Sequence, residues 1–311
     1  MMAKYIGKRL LHIAVALFFI VTLTFFLMRL APGNPFASEQ QVVTPAIQQQ
    51  LNEAYGLDNP WYIQYKDYLV NVLKFDFGES MKYRGRSTND MILDSFPVSL
   101  VLGLQSMLVA VGLGVLLGVI SATYHNKAGD YLATIIAVLG ISVPSFILAG
   151  LMQYFFGLKL GWFPISGWKG AMYTVLPTFA LAMGYMGNTA KMTRSGLLEQ
   201  NTSEYVRLAR AKGLRKWQIV FRHSLRNALL PVVSYLGPLT AGVITGSFVV
   251  ENIFAIPGLG RHFVTSINNR DYTVIMGTTV FYSIILLLAV LLVDIIYVLL
   301  DPRIKLEGVD N

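Results

Sequence analysis

Few residues of this chain are placed to do chemistry. Asp294 is the one acid well within an apolar run, about two turns from its end, and an intramembrane carboxylate is a functional candidate by default. So near an end it is equally open to hydration or to simple pairing. His12, Gln105, Gln153 and Asn188 are uncharged polar residues in or beside apolar runs, where interhelical hydrogen bonding is the expected use, ahead of ligand contact. The four histidines, His12, His125, His223 and His262, show no metal-ligand spacing. With no cysteine there is no thiol nucleophile, disulfide or thiolate metal site. No G-x-x-x-x-G-K-[ST] phosphate loop, H-E-x-x-H or G-x-S-x-G occurs. The chain is therefore read as no enzyme, with no catalytic residue, no metal and no cofactor of its own.

The distinctive chemistry lies instead in one polar stretch, Lys191–Arg226, set between apolar segments and holding nine of the 25 Lys and Arg residues. Two short amphipathic helices are expected in it. The first runs from Thr202 to Lys212, with Asn201 as N-cap and Glu204 three residues on in a capping box. Tyr205, Leu208 and Ala209 share one face at i, i+3, i+4, while Arg207 and Arg210 point elsewhere. Gly213 supplies the conformational freedom a helix stop needs, with a positive φ expected. The second helix starts near Lys216 and lines up Trp217, Val220, Phe221, Ser224, Leu225 and Ala228. A basic loop beside a membrane is also a topology signal, and such helices also rest on anionic lipid. Paired helices broken at a glycine favour a docking element for a soluble protein.

The elements that carry this stretch are membrane spans. The chain has 311 residues, 54% hydrophobic and 14% charged, with a mean hydropathy of +0.54. Soluble domains carry about 25% charged residues, so this is a multi-spanning, all-α membrane protein. Its formal charge of +8 borders apolar runs and forms no single groove, which excludes nucleic acid as partner and leaves membrane lipid. Six spans are expected: Leu10–Met28, Val98–Tyr124, Tyr131–Gly157, Val175–Ala190, Leu229–Phe254 and Tyr272–Leu300. The first has the charged start of a signal peptide, but its run exceeds the usual apolar core of about 7–15 residues, so it is read as a span.

Between spans, APGNP at 31–35 stops the first helix, and the water-exposed segment 30–97 holds short helices and turns. Gly114 and Gly118 are spaced for close helix contact, as are Gly242 and Gly246. Pro144, Pro231 and Pro238 are candidate helix hinges. Trp162, Pro164 and Trp168 mark an interfacial loop over Lys159–Tyr173. With both termini inside, fifteen of the 25 positive residues but only six acids are cytoplasmic, in accord with the positive-inside rule.

At this point the residues carry a resemblance. EYVRLARAKGLRKWQIVFRHSLRNALLP (204–231) is similar to the coupling loop, or EAA motif, of binding-protein-dependent ABC importer permeases. APGNP, GLDNPWYIQY (56–65), FDFGES (75–80), ISVPSF (141–146), LGWFPISG (160–167), ENIFAIPGLG (251–260) and the terminal LDPRIK extend it over nearly the whole chain. The sequence resembles the B-type permeases of bacterial oligopeptide and dipeptide importers. Ala209 and Gly213 fall on the motif's second alanine and its glycine, Leu208 on its first alanine and Arg207 on its acidic position. Pro231 lies further from the glycine than in the general pattern.

The resemblance implies a type I importer fold in the bacterial cell membrane, with an N-terminal helix (1–29), an extracytoplasmic segment (30–97), a permease core (98–305) and a tail (306–311). It implies half a pore, a second homologous permease, two cytoplasmic ATPase subunits holding ATP and Mg, and an extracytoplasmic peptide-binding protein. Glu204, Tyr205, Arg207, Leu208, Ala209, Ala211, Lys212, Gly213 and Trp217 would then meet the ATPase. Peptide is the implied substrate, with nickel complexes, glutathione and murein peptides as relatives' alternatives. Two other classes stay open on residues alone: a proton-coupled secondary transporter using Asp294, and a membrane-embedded hydrolase.

Overall fold

The computed structural model describes residues 2–30, 36, 44–83, 85–244 and 248–300. The APGNP stop, Gly246, DPRIK and the tail 306–311 lie outside the described residues, as does most of the N-terminal half of the Gln-rich run at 40–50. Among the described residues every regular element is helical, with one isolated bridge between Glu79 and Ser87. In chain order these are α1 (Met2–Leu30), α2 (Pro45–Ala54), α3 (Trp61–Leu73), α4 (Thr88–Thr123), α5 (Ala128–Ser142), α6 (Ser145–Met152) and α7 (Ala171–Gln200). They continue with α8 (Glu204–Ala211), α9 (Lys216–Ile219), α10 (Leu225–Ala228), α11 (Leu230–Ile244), α12 (Phe248–Ile253), α13 (Leu259–Asn269) and α14 (Tyr272–Leu300). π-Helical turns extend α6 through Gln153–Lys159 and join α9 to α10 through Val220–Ser224.

Among the described residues three helices are long and apolar enough to cross a membrane: α1, α4 and α14. The α5–α6 pair passes the same test jointly but is bent by 108° at its break. Pro144 causes this. It cannot donate an N–H to the Gly140 carbonyl, and Val143 before it is extended (φ −93°, ψ 122°). The kink expected at Pro144 is thus a near right-angled break. The fourth expected span also differs, because α7 does not stop at Ala190 but continues as helix to Gln200. The fifth run is helical over its described parts, α11 and α12, and residues 245–247 between them lie outside the described residues. Pro231 sits in the first turn of α11, where its missing N–H costs no bond, whereas Pro238 lies inside it.

The chain forms two compact units, each discontinuous in sequence. The first comprises residues 1–99 and 258–288. In it α1 packs on α3 through aromatics: Phe25, 5% exposed, lies 5.2 Å from the Tyr65 ring and 5.8 Å from Tyr68, the latter stacked. The carboxylate of Asp271, itself buried, accepts bonds from Ser80 Oγ, from Met81 N (3.1 Å) and from Val274 N (3.3 Å). The segment before α4 is thereby tied to the start of α14.

The second unit comprises residues 100–257 and 289–304, and its centre is α7. Glycines permit the close packing. A Cβ at Gly114 or Gly118 of α4 would fall 2.6 or 2.5 Å from Thr189 or Thr193 of α7, so the expected contact at this pair is present. A Cβ at Gly187 of α7 would stand 2.3 Å from the Ala137 carbonyl of α5. Three of the expected polar contacts are present too. Gln153 Nε2 donates to the Ile165 and Ile253 carbonyls, Thr178 Oγ1 to Gln105 Oε1, and Asn188 Nδ2 to Tyr235 Oη at 3.3 Å. Helices in lipid associate through such small-residue contacts and hydrogen bonds, since lipid is as apolar as leucine.

Candidate functional site

The α8–α9–α10 segment is built on the end of α7. After Gln200 the chain makes a tight turn, and Thr202 and Ser203 send their hydroxyls backward, to the Glu199 (2.7 Å) and Gln200 (2.6 Å) carbonyls. Those hydroxyls are then committed to closing α7. Ser203, and not Asn201, is the residue that flanks α8, with extended φ and ψ and no side-chain cap. Asn201 instead follows the last turn of α7 in helical geometry. The capping box expected from Asn201 and Glu204 is therefore absent, and Glu204 occupies the first position of α8, where its charge suits the helix dipole.

The stop at Gly213 is as expected. Its φ is +76°, its N–H bonds the Arg210 carbonyl (2.9 Å), and Leu214 N–H bonds that of Ala209 (3.3 Å). This pair of bonds is the Schellman closure, which needs a residue free of Cβ strain at that position. Its accompanying apolar contact is also present: Leu214 packs against a buried seam of Val206, Ala209 and Ile219. Burying Val206 completely contributes roughly 1.5–3 kcal/mol to holding the two helices together. α9 is opened by Gln218, whose Oε1 accepts from Arg215 N at 3.0 Å.

The expected faces divide. Val206 and Ala209, not Tyr205 and Leu208, form the seam of α8. Leu208 is 58% exposed and Tyr205 38%. On the second helix Val220, Ser224 and Ala228 are buried, while Trp217 and Phe221 stack at 5.6 Å and remain about half exposed. Arg207, Ala211, Lys212 and Gly213 are exposed as well. Solvent thus sees large apolar side chains beside cations.

Below this face the segment is fixed to the bundle. A second buried cluster joins Val119 and Ala122 of α4, Leu197 of α7, and Val220 and Ala228. Gly196 of α7 lets the Ala228 backbone approach to where a Cβ would meet its carbonyl at 2.4 Å. Tyr205 Oη bonds Gln200 Oε1 (2.5 Å) and receives Asn227 Nδ2 (3.2 Å).

One further cluster escaped sequence reasoning. Asp130, 3% exposed, receives a bidentate Arg194 through Nε and Nη2, each at 2.9 Å. Asn126 N (2.9 Å) and Ser121 Oγ also donate to it. His125 Nδ1 lies 3.1 Å from both Asp130 Oδ2 and Arg194 Nη2, so it donates to the first or accepts from the second according to its protonation. Charge counting treats these residues as topology signals, and nothing local pairs positions 64 residues apart. Glu251, in the fifth apolar run, is likewise fully buried, while Asp294 is half-buried in α14. Among the described residues no group of three metal-ligating side chains gathers.

Comparison with known proteins gives the family. The family described as binding-protein-dependent transport system inner membrane component matches residues 114–306, and its N-terminal companion matches 2–103. A dipeptide transport system permease protein, DppB, of Bacillus subtilis is 50% identical over 98% of this chain and 99% of its own length. An oligopeptide transport system permease protein, OppB, of Haemophilus influenzae is 42% identical over 98% of this chain and all of its own. An inward-facing MetNI methionine ABC transporter covers 68% of this chain and 96% of the solved one with a TM-score of 0.58 at 21% identity, a likeness of fold. The chain belongs to the inner-membrane components of binding-protein-dependent ABC transport systems.

Proposed function

We propose that this chain is the permease subunit of an ABC importer for dipeptides or oligopeptides. The observation that carries this reading is 50% identity, end to end, to a dipeptide permease. In this reading the chain spans the membrane six times with both termini in the cytoplasm. It forms half of a pore with a second, homologous permease. An extracytoplasmic binding protein delivers peptide, and two ATPase subunits hold ATP and Mg.

The ATPases dock on the 204–228 helix pair. Its exposed Leu208, Trp217 and Phe221 enter an apolar cleft, with Tyr205, Arg207, Ala211 and Lys212 around them. The Val206–Ala209–Ile219 seam and the Gly213 closure support this role, because they make the pair stiff enough to move as one body. ATP-driven closure then displaces the pair, and through the Val119–Leu197–Ala228 cluster the bundle changes between inward- and outward-facing states.

The test is reconstitution of the full complex in proteoliposomes. ATP-dependent accumulation of labelled dipeptide, persisting when the proton gradient is collapsed, is expected. Uptake of glutathione or a nickel complex with none of any peptide would overturn the substrate. Uptake that fails with the gradient while ATP is maintained would overturn the mechanism in favour of a proton-coupled carrier using Asp294.

A further inference from the structure

Beside the α5–α6 break lies a cavity of ≈ 470 Å³, within the usual small-molecule range of about 300–1,000 Å³. Among the described residues no Asp, Glu, Lys, Arg or His lines it, and the polar side chains in its wall are Ser145, Tyr185 and Asn188. Asn188 spends both amide protons, on the Gly184 carbonyl (3.2 Å) and Tyr235 Oη (3.3 Å), which leaves its Oδ1 as an acceptor without a donor among the described residues. Ser145 Oγ and Tyr185 Oη likewise make no hydrogen bond among the described residues. Pro144, in the wall, deprives the Gly140 carbonyl of its helical donor. Gly242 stands opposite, where a Cβ would fall 2.2 Å from Tyr185 Oη, so any larger residue would displace the tip of that phenol.

We propose that this cavity is a station on the transport path, where the main-chain amides of a peptide in transit hydrogen-bond to Ser145, Tyr185 and Asn188. The inference rests on the reading of the chain as a peptide permease. Amides are what all peptides share, and they need both acceptors and hydroxyl donors, which this wall supplies. A neutral wall discriminates against neither lysyl nor glutamyl side chains. Neutral hydrogen bonds also keep the stay brief, since a transported species must bind weakly enough to leave.

The chain's lack of cysteine provides the test, since Ser145→Cys would be its only thiol. In the assembled complex, this thiol should react with a small water-soluble methanethiosulfonate, detected as added mass on this subunit. A transported dipeptide with ATP should slow that reaction several-fold. Absence of reaction, or reaction at an unchanged rate with dipeptide present, would overturn the proposal.

Asn188→Asp supplies an independent readout by placing a charge in the wall. It should raise uptake of a lysyl dipeptide relative to a glutamyl one by roughly five-fold or more. A ratio equal to that of the parent complex would overturn the proposal. These outcomes are read against unmodified complex that moves labelled dipeptide. If the unmodified complex moves none, the substrate assignment fails first, and the two failures are distinguishable.

Discussion

Two stretches of the same helix answer opposite demands. Around Gly184–Asn188, α7 presses on α5 through bare glycine and meets its surroundings with neutral polar groups. Two to four turns later, at Arg194–Gln200, it is held by a bidentate ion pair, a buried apolar cluster and hydroxyls returned to its last carbonyls. The first stretch keeps donor and acceptor capacity in reserve; the second has spent nearly all of it. A surface that a cargo must wet and leave is built without fixed charge. A base that must carry force is built with its charged groups and its terminal hydroxyls committed.

The most damaging way to break the contrast is to make the glycine stretch bulky. Gly187→Val would push carbon into the Ala137 carbonyl, 2.3 Å from where its Cβ must sit. Overpacking of roughly 1–3 kcal/mol or more, borne by backbone, should abolish recovery of assembled complex, whereas Gly112→Ala, with open space, should leave it intact. Size-exclusion of detergent-solubilised complex reads this.

Next is Leu208→Asp, which places a charge on the exposed face proposed to enter an apolar cleft. An unpaired desolvated charge costs several kcal/mol, so ATPase subunits should be lost on co-purification while the permease still inserts. Normal co-purification would remove Leu208 from the interface. Ala209→Asp is no substitute, because Ala209 belongs to the buried seam and its loss would disrupt the helix pair itself.

A smaller loss is expected at the ion pair. Arg194→Ala strands a carboxylate that is 3% exposed, and because the guanidinium side chain is 29% exposed, about 2–3 kcal/mol is expected, below the fully buried case. The temperature at which the complex comes apart should fall, and Arg194→Lys should restore only part, since an ammonium cannot bond both carboxylate oxygens in a fork. Equal temperatures for parent and alanine variants would mean that the pair is not part of the rigid base.

The smallest structural cost carries the sharpest functional readout. Gly213→Ala should add about 1 kcal/mol of strain at φ +76°, and Gly213→Val more, though a Cβ there would meet no neighbour. ATP hydrolysis should persist while peptide moved per ATP declines, more for Val than for Ala. An unchanged ratio for Val would separate the turn from transmission.

The sequence made some of this legible and hid the rest for physical reasons. Gly213, Pro144 and the Gly114/Gly118 pair were readable because backbone chemistry acts locally: one residue type permits or forbids one geometry. The apolar faces of α8 were readable only as a set, since Val206 and Leu208 both satisfy a helical period and only the packed partner decides which is buried. The cap was misread because Asn201, Thr202 and Ser203 are all competent, and the hydroxyls served the helix before them. Asp130 and Arg194 were invisible as a pair because what joins them is tertiary. The persistence of α7 past Ala190 reflects tertiary support overriding hydropathy.

The π turn at Val220–Ser224 makes this part of the gene tolerant of a particular kind of accident. A π turn accommodates one residue more than an α turn, and each residue of an α-helix rotates the chain by about 100°. Deleting any one codon in this stretch would allow a regular helix to form with perfectly good backbone bonds. Because the π residues turn the chain about as far as an α stretch one residue shorter would, Lys216–Ile219 and Leu225–Ala228 would keep their relative facing, and Ile219 and the Trp217 ring would stay where they are. A deletion in the flanking α turns has no such slack and would rotate one side by about 100° against the other, so length is free at the π turn and fixed on either side of it.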